Sequence, residues 1–113
     1  PGHVHWRQLC ASNEPTQDLV HTGGLAASLL SLRFQSHFTT AQVHAFCDAL
    51  QLFKLAYSWA GPISLVVPYQ LSSMRSMAPA EMLQGGLVRL AIGFEDPVDL
   101  QADLAQALAV AQG

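Results

Sequence analysis

A chemical role is most easily argued for one arginine of this sequence. Arg89 stands within the apolar run LVRLAIGF, and only five of the 113 residues are lysine or arginine. A guanidinium among apolar neighbours is costly unless an anion pairs with it. The anion could be a nearby acid, Glu95 or Asp96, or the carboxylate of a ligand, which a guanidinium binds through two parallel hydrogen bonds. The side chain could also lie exposed on the open face of a sheet.

A second group of polar and aromatic residues separates two apolar runs. In the stretch LAYSWAGPISL, Tyr57, Ser58 and Trp59 come just before a Gly-Pro pair. Such a pair marks a bend. Taken alone, the two aromatic residues are interpreted as ordinary side chains of the core or of a sheet edge.

Other residue types give weaker chemical signals. His3 and His5 alternate near the N-terminus, but no acidic or cysteine ligand lies close, so we expect no metal site. The serines are not in a Gly-x-Ser-x-Gly setting, which argues against a hydrolase triad. The glycine pairs at 23–24 and 85–86 lack a phosphate-binding motif, and strand starts or tight turns explain them better.

The composition favours one domain over residues 1–113 and excludes several partner classes. Half of the residues are hydrophobic, the net charge is −3, and no basic patch is present. Nucleic acid and anionic membrane surfaces are therefore poor partners. No apolar run reaches the roughly 18 residues of a membrane span, and no signal peptide is visible. Cys10 and Cys47 are interpreted as buried free thiols of a reducing compartment.

Two helices are predicted from their first residues. Thr39 and Gln42 form a capping box, and Phe38 and Val43 have the spacing of a hydrophobic staple. Asp96 and Pro97 have the residue types of an N-cap and a first helical position. The second helix should run to about residue 111, with a buried stripe of three leucines: Leu100, Leu104 and Leu108.

Four runs are typical of strands, and residues 69–85 are interpreted mostly as loop. The runs lie within residues 23–34, 52–57, 63–67 and 87–94, and Pro68 ends the third. In the last run, Val88, Leu90 and Ile92 should face the core, opposite Arg89. Because the connections are shorter than a crossover, paired strands are expected to be antiparallel. The predicted fold is α+β, a small antiparallel or mixed sheet of about four strands with helices packed on one face.

Two stretches together carry a family resemblance. LFKLAYSWAGPISL and, farther on, GGLVRLAIGFEDPVDLQADLAQAL resemble the end of the Cys/Met-metabolism family of pyridoxal-phosphate (PLP) enzymes, the fold-type I transsulfuration enzymes. HTGGLAASLLSL is also similar to that family's Gly-rich start of a strand. The resemblance covers nearly the whole chain and is weakest before residue 20. The Tyr-Ser-Trp variant is similar to that of bacterial members that cleave cystathionine by β-elimination to homocysteine, pyruvate and ammonia.

The resemblance implies roles for four residues. Arg89 would bind the substrate α-carboxylate, and Ser58 and Trp59 would line the same pocket. Tyr57 would lie beside the distal part of the substrate and help to set β- over γ-chemistry. The bend would thus present polar and aromatic groups to a cofactor that is held elsewhere.

Two departures from the family pattern concern the substrate. Ala60 stands where the family has the first glycine of a pair, and Ile63 stands where it has a glutamate. The first departure changes the conformational freedom of the bend, and the second removes a charge. The identity of the substrate therefore stays open.

The resemblance also implies that the cofactor is bound outside this chain. The family needs a lysine for the Schiff base with PLP. Lys54, the only lysine, lies in a predicted strand where the family has no cofactor lysine. We therefore expect a C-terminal small domain without its large PLP-binding domain, inactive and without cofactor when alone. The first residue is Pro1, which fits a processed or excised piece.

The implied parent is a cytoplasmic homo-oligomer, a dimer or tetramer, that acts on a small amino acid. Two other classes stay open. One is a stand-alone α+β module that binds an amino acid through Arg89, and the other is a structural interaction domain.

Overall fold

Four strands form one open mixed sheet, and two helices cover one of its faces. The computed structural model describes residues 28–70, 73 and 85–113. The strands follow the spatial order β1-β4-β3-β2. The elements are β1 (Leu29–Arg33), α1 (Thr40–Ala49), β2 (Lys54–Leu55), β3 (Leu65–Tyr69), β4 (Leu87–Ala91) and α2 (Pro97–Gln112). The predicted α+β class is confirmed.

Several sequence interpretations fall outside the described residues. They concern the histidines at 3 and 5, the cysteine at 10, the glycine pair at 23–24 and most of the predicted loop at 69–85. In the described part of the chain, neither helix is both long and apolar enough to cross a membrane.

Helix α1 begins as its sequence predicts. The backbone N–H of Gln42 donates to Thr39 Oγ1 (3.2 Å), and the Thr39 N–H donates to Gln42 Oε1 (2.9 Å), which completes the capping box. Val43, Phe46 and Cys47 are its buried residues. Burial, followed by the nearby Asp48 charge, raises the pKa of the Cys47 thiol to about 11. Cys47 is thus a neutral core residue, as predicted.

Helix α2 begins as predicted but buries a different stripe. Asp96 Oδ1 accepts a hydrogen bond from the Val98 N–H (2.8 Å), and Pro97 is the first helical residue. Leu104 is only partly buried and Leu108 is exposed. The buried residues are Leu100, Asp103, Ala107 and Ala111. The predicted leucine stripe is confirmed for Leu100 and in part for Leu104, which packs against the core, and is wrong for Leu108, because Ala107 and Ala111 lie on the face turned toward the core.

Strand β4 is central and pairs antiparallel with both β1 and β3. The pair β2–β3 is parallel, with Lys54 opposite Leu65, so the expectation of antiparallel pairing is wrong there. The physical reason is the shortness of β2. A two-residue strand spans only about 7 Å, and residues 56–64 suffice to return the chain to the same end of the sheet.

The two faces of the sheet have different neighbours. Val66, Val88 and Leu90 are fully or almost fully buried and belong to the core cluster with residues of both helices. Ile92 packs partly buried against the same cluster. Arg89 alternates with Val88 and Leu90 and therefore lies on the face opposite the helices. The predicted division of β4 into a core side and an arginine side is confirmed.

The glycine pair at 85–86 serves the start of β4. Gly85 has φ +74°, in the left-handed region that favours glycine. A Cβ on Gly86 would lie 2.5 Å from Val43 Cγ2 on α1. The pair therefore permits a turn and a close helix–strand approach, which confirms the sequence interpretation.

Candidate functional site

The sheet and the bend that precedes β3 bring Arg89 against the aromatic stretch. Arg89 Nη2 donates to the carbonyl oxygens of Tyr57 (2.5 Å) and Ser58 (3.2 Å). Its Cζ lies 5.4 Å from the ring centroid of Trp59. All four sequence-predicted site residues are thus within one small region, which we call the Arg89 site.

The two acids that could have paired with Arg89 are engaged elsewhere. Glu95 accepts hydrogen bonds from Ser64, and Asp96 caps α2. Arg89 makes no ion pair with any residue in the ranges 28–70 and 85–113. The sequence alternative of an internal ion pair with Glu95 or Asp96 is therefore wrong. The alternative of an exposed side chain on the open face holds in part, because Arg89 lies on the face opposite the helices but is half-buried.

The bend contributes backbone oxygens more than side chains. Tyr57 and Ser58 hold Arg89 through their carbonyl groups, and the Tyr57 side chain is 77% exposed. Trp59 contributes its ring, and the residue as a whole is 59% exposed. A cation near the face of an indole is stabilised by the quadrupole of the ring. The bend thus fixes the guanidinium and leaves two aromatic side chains facing outward.

Tyr69 is a member of the Arg89 site that the sequence analysis missed. Arg89 Cζ lies 5.8 Å from its ring centroid. Tyr69 ends β3, and Val67 on the same strand is directly opposite Arg89 in the ladder. Pro68 was interpreted as the end of the strand, whereas β3 continues through it. The alternation of Leu65, Val67 and Tyr69 was the available signal.

The groups at the Arg89 site are chemically suited to accept an anion. Nε and Nη1 of Arg89 make no hydrogen bond to the described residues, so the guanidinium keeps donors for a further acceptor. No described carboxylate neutralises the charge. A ligand carboxylate would therefore meet a cation that the bend already holds in place.

The sequence and the fold agree with one enzyme family. The family described as Cys/Met metabolism PLP-dependent enzyme matches residues 10–109, and the chain belongs to this family.

Individual relatives give more detail. Over 111 residues the chain is 40% identical to a cystathionine beta-lyase of Bordetella avium, covering 96% of the chain and 24% of that protein. Identity to a cystathionine beta-lyase of Salmonella typhimurium is 34%, covering 96% of the chain and 25% of that protein. A solved cystathionine gamma synthase from Xanthomonas oryzae pv. oryzae superimposes with a TM-score of 0.59 at 30% identity, over 89% of the chain and 27% of that structure. The chain therefore spans about a quarter of the length of these relatives.

The described residues do not fit the PLP that the family depends on. Lys54 lies exposed on the edge strand β2, and its Nζ donates to the Gln51 carbonyl oxygen (2.6 Å). The Gly85 backbone offers no cradle for a phosphate, since an added Cβ would meet the Phe34 carbonyl oxygen at 2.3 Å. Within the described ranges, no three His, Cys, Asp or Glu residues form a group that could hold a metal ion.

Proposed function

We propose that this chain supplies the substrate-carboxylate arginine of a PLP-dependent carbon–sulfur lyase of the cystathionine β-lyase type. The observation that carries the proposal is Arg89, which is anchored to two bend carbonyls and lacks an acidic partner in the described residues. The relatives named cystathionine beta-lyase support the lyase assignment. The chain is also similar to a gamma synthase, so similarity alone does not decide which reaction is catalysed, and the reaction needs a test.

In this proposal Arg89 binds the α-carboxylate of the amino-acid substrate. A guanidinium has five N–H donors, so one nitrogen can stay on the bend carbonyls while the others meet the carboxylate. Lysine has a single ammonium on a flexible stem and cannot serve both partners in a fixed geometry. Arg89 therefore fixes the orientation of the substrate relative to the bend.

The side chains of the bend contact the rest of the substrate. Trp59 and Ser58 line the carboxylate pocket, and the exposed Tyr57 ring reaches the distal part of the substrate, where it favours β-elimination. Ile63 is exposed and apolar at the position where the family keeps a charge. The loss of that charge leaves the identity of the substrate to be decided by product analysis.

The chain acts in this proposal as the C-terminal small domain of a longer enzyme. Five exposed apolar residues lie on or next to the bend, and a large PLP-binding domain would cover them. They are Leu55, Tyr57, Trp59, Ile63 and Phe94. The cofactor is then held by that large domain, in a cytoplasmic homo-oligomer, and the small domain alone is inactive.

Product analysis tests the reaction. The complete enzyme that carries this chain is incubated with L-cystathionine, and the products are separated by chromatography. β-Elimination consumes one water and gives homocysteine, pyruvate and ammonia. We expect these products, whereas cysteine with 2-oxobutanoate would show γ-elimination and contradict the β-lyase assignment.

A stand-alone amino-acid-binding module is the second candidate. The remaining N–H groups of Arg89 could donate to a ligand carboxylate without the help of another domain. Calorimetric titration of the 113-residue chain with L-cystathionine separates the two candidates. Binding at micromolar concentration that Arg89→Lys abolishes would favour the module. The lyase proposal expects no heat of binding at such concentrations.

A further inference from the structure

Glu95 and Ser64 join the end of β4 to the end of the bend that holds Arg89. Glu95 Oε1 accepts from the Ser64 backbone N–H (2.8 Å), and Oε2 accepts from the Ser64 hydroxyl (2.7 Å). The same hydroxyl accepts from the Gly93 N–H (2.8 Å). Ser64 is completely buried. We call Ser64, Gly93 and Glu95 the bend clamp.

Backbone contacts reinforce the bend clamp. The Phe94 N–H donates to the Pro62 carbonyl oxygen (2.9 Å). A Cβ on Gly93 would lie 2.4 Å from that same oxygen, so the two loops touch through their backbones. Charge-assisted bonds to a carboxylate are among the stronger hydrogen bonds in proteins. The clamp therefore fixes the C-terminal end of the bend relative to β4.

The other end of the bend is fixed by the sheet. The Lys54 N–H donates to the Ser64 carbonyl (2.9 Å), and the Ala56 N–H donates to the Val66 carbonyl (3.3 Å). Tyr57 and Ser58, whose carbonyls hold Arg89, follow directly. Ser64 thus takes part in both attachments, through its backbone carbonyl toward β2 and through its N–H and hydroxyl toward Glu95.

We propose that Glu95 and Ser64 are positioning residues of the carboxylate site. They set the location of the Tyr57 and Ser58 carbonyls, and through these carbonyls the location of the Arg89 guanidinium. The inference rests on the proposed function of Arg89 and adds residues that act on it without touching the substrate. Glu95 is thereby linked to Arg89 through the bend and not through an ion pair.

Asp103 is the control carboxylate that distinguishes an effect on the position of Arg89 from a general effect on stability. Asp103 is buried on α2, on the helix side of the sheet, and accepts from the backbone N–H groups of Gln51 and Leu52 (2.8 Å each). Glu95→Gln and Asp103→Asn each neutralise a carboxylate that accepts hydrogen bonds from backbone N–H groups. Only Glu95→Gln should disturb the Arg89 site.

The experiment compares Glu95→Gln, Ser64→Ala and Asp103→Asn in the complete enzyme. Steady-state kinetics with L-cystathionine give KM and kcat, and hydrogen–deuterium exchange follows the amides of residues 56–63. We expect Glu95→Gln and Ser64→Ala to raise KM about ten-fold with a smaller change in kcat, and to speed exchange in the bend. Asp103→Asn should leave KM unchanged.

Each outcome decides something. If Arg89→Lys raises KM while both clamp variants keep the wild-type KM, the positioning inference is wrong and the proposed function stands. An equal rise of KM in Asp103→Asn would reduce the clamp to a general stability effect and overturn the inference. If Arg89→Lys leaves KM unchanged, the proposed function itself fails. Faster exchange at residues 56–63 in the clamp variants would then show that the clamp fixes the bend but that the bend holds no carboxylate site. If Glu95→Gln does not fold, Ser64→Ala decides, because it keeps the backbone bond to Glu95.

Discussion

At the residue scale, Ala60 has an unusual backbone conformation in the bend. Its φ of +57° lies in the left-handed region. A Cβ in that region costs about 1–2 kcal/mol, and glycine avoids this cost. The resemblance to the family places a glycine at this position. The Arg89 site therefore tolerates a strained residue immediately after Trp59.

Ala60→Gly should stabilise the chain modestly. The relieved strain exceeds the roughly 0.4–1 kcal/mol that glycine costs through the freedom of the unfolded chain, so the expected net gain is at most about 1 kcal/mol. Urea unfolding measures the change. Ala102→Gly, at an exposed position of α2, is the control and should destabilise by about 1 kcal/mol. Equal destabilisation by both variants would show that the left-handed conformation is not strained.

The members of the Arg89 site could be found from the sequence only in part. The family resemblance placed Tyr57, Ser58, Trp59 and Arg89 in one site, whereas residue types alone indicated only a bend and a strand arginine in need of an anion. The role of the bend carbonyls was not visible, since any residue type provides a carbonyl. The partner of Glu95 was also missed, because its link to Ser64 depends on how two loops meet in space.

At the element scale, one carboxylate connects the two helices with the start of β2. Asp103 on α2 accepts from the N–H groups of Gln51, Leu52 and Phe53, which follow the C-cap residue of α1. Burial alone would raise the pKa of this carboxyl. The N–H donors of Gln51 and Leu52, together with the Gln106 amide, outweigh burial and hold the pKa below its usual value. The ionised form is therefore part of the folded state.

Asp103→Asn should lower the free energy of unfolding by about 2–3 kcal/mol at pH 7. A depressed folded-state pKa gives stability that is present above the unfolded pKa and is lost as pH falls through the folded value. The difference between wild type and variant should therefore shrink below about pH 4. Urea unfolding at pH 7 and pH 3 measures it. A difference that stays constant between the two would contradict the role of the ionised carboxylate.

The starts of the helices could be predicted, whereas their buried faces and one strand pairing could not. Helix capping depends on residues that are close in sequence. Both helix starts could therefore be identified, one from Thr39 and Gln42 and the other from Asp96 and Pro97. The burial of Asp103 depends on the distant residues 51–53. The parallel pairing of β2 with β3 is possible because β2 has only two residues, so a short connection can return the chain to the same end of the sheet. The rule that short connections join antiparallel strands does not take strand length into account.

At the scale of the whole molecule, apolar side chains around the bend are exposed. Phe94 is 87% exposed and lies beside the bend clamp, close in sequence to Glu95. Exposed apolar groups of this kind mark surfaces that another protein unit covers. The proposed large domain would cover them in the complete enzyme.

The 113-residue chain alone should therefore self-associate, and Phe94→Ser should reduce that association. Sedimentation velocity over a range of concentrations measures it. Val110→Ser is the control, because Val110 is exposed near the C-terminal end of α2. A chain that stays monomeric at high concentration, or equal effects of the two substitutions, would count against a covered surface at the bend.

The family and the class of fold were accessible from the sequence, because two motifs in order were enough to specify them. A small sheet of about four strands with helices on one face followed from the strand and helix patterns. The match over residues 10–109 confirmed the family. The exact reaction is a different matter, since relatives that share the fold include both a lyase and a synthase.

The central claim is that Arg89 binds the substrate carboxylate, and kinetics of Arg89→Lys in the complete enzyme test it most directly. Arg33→Lys is the matched control, because Arg33 ends β1 opposite Leu87, on the same face of the sheet. Loss of the charge-assisted contact is worth about 2–4 kcal/mol, so kcat/KM for L-cystathionine should fall roughly thirty- to a thousand-fold, mostly through KM. Arg33→Lys should stay within about three-fold of wild type. A wild-type kcat/KM in Arg89→Lys, or an equal loss in Arg33→Lys, would contradict the claim.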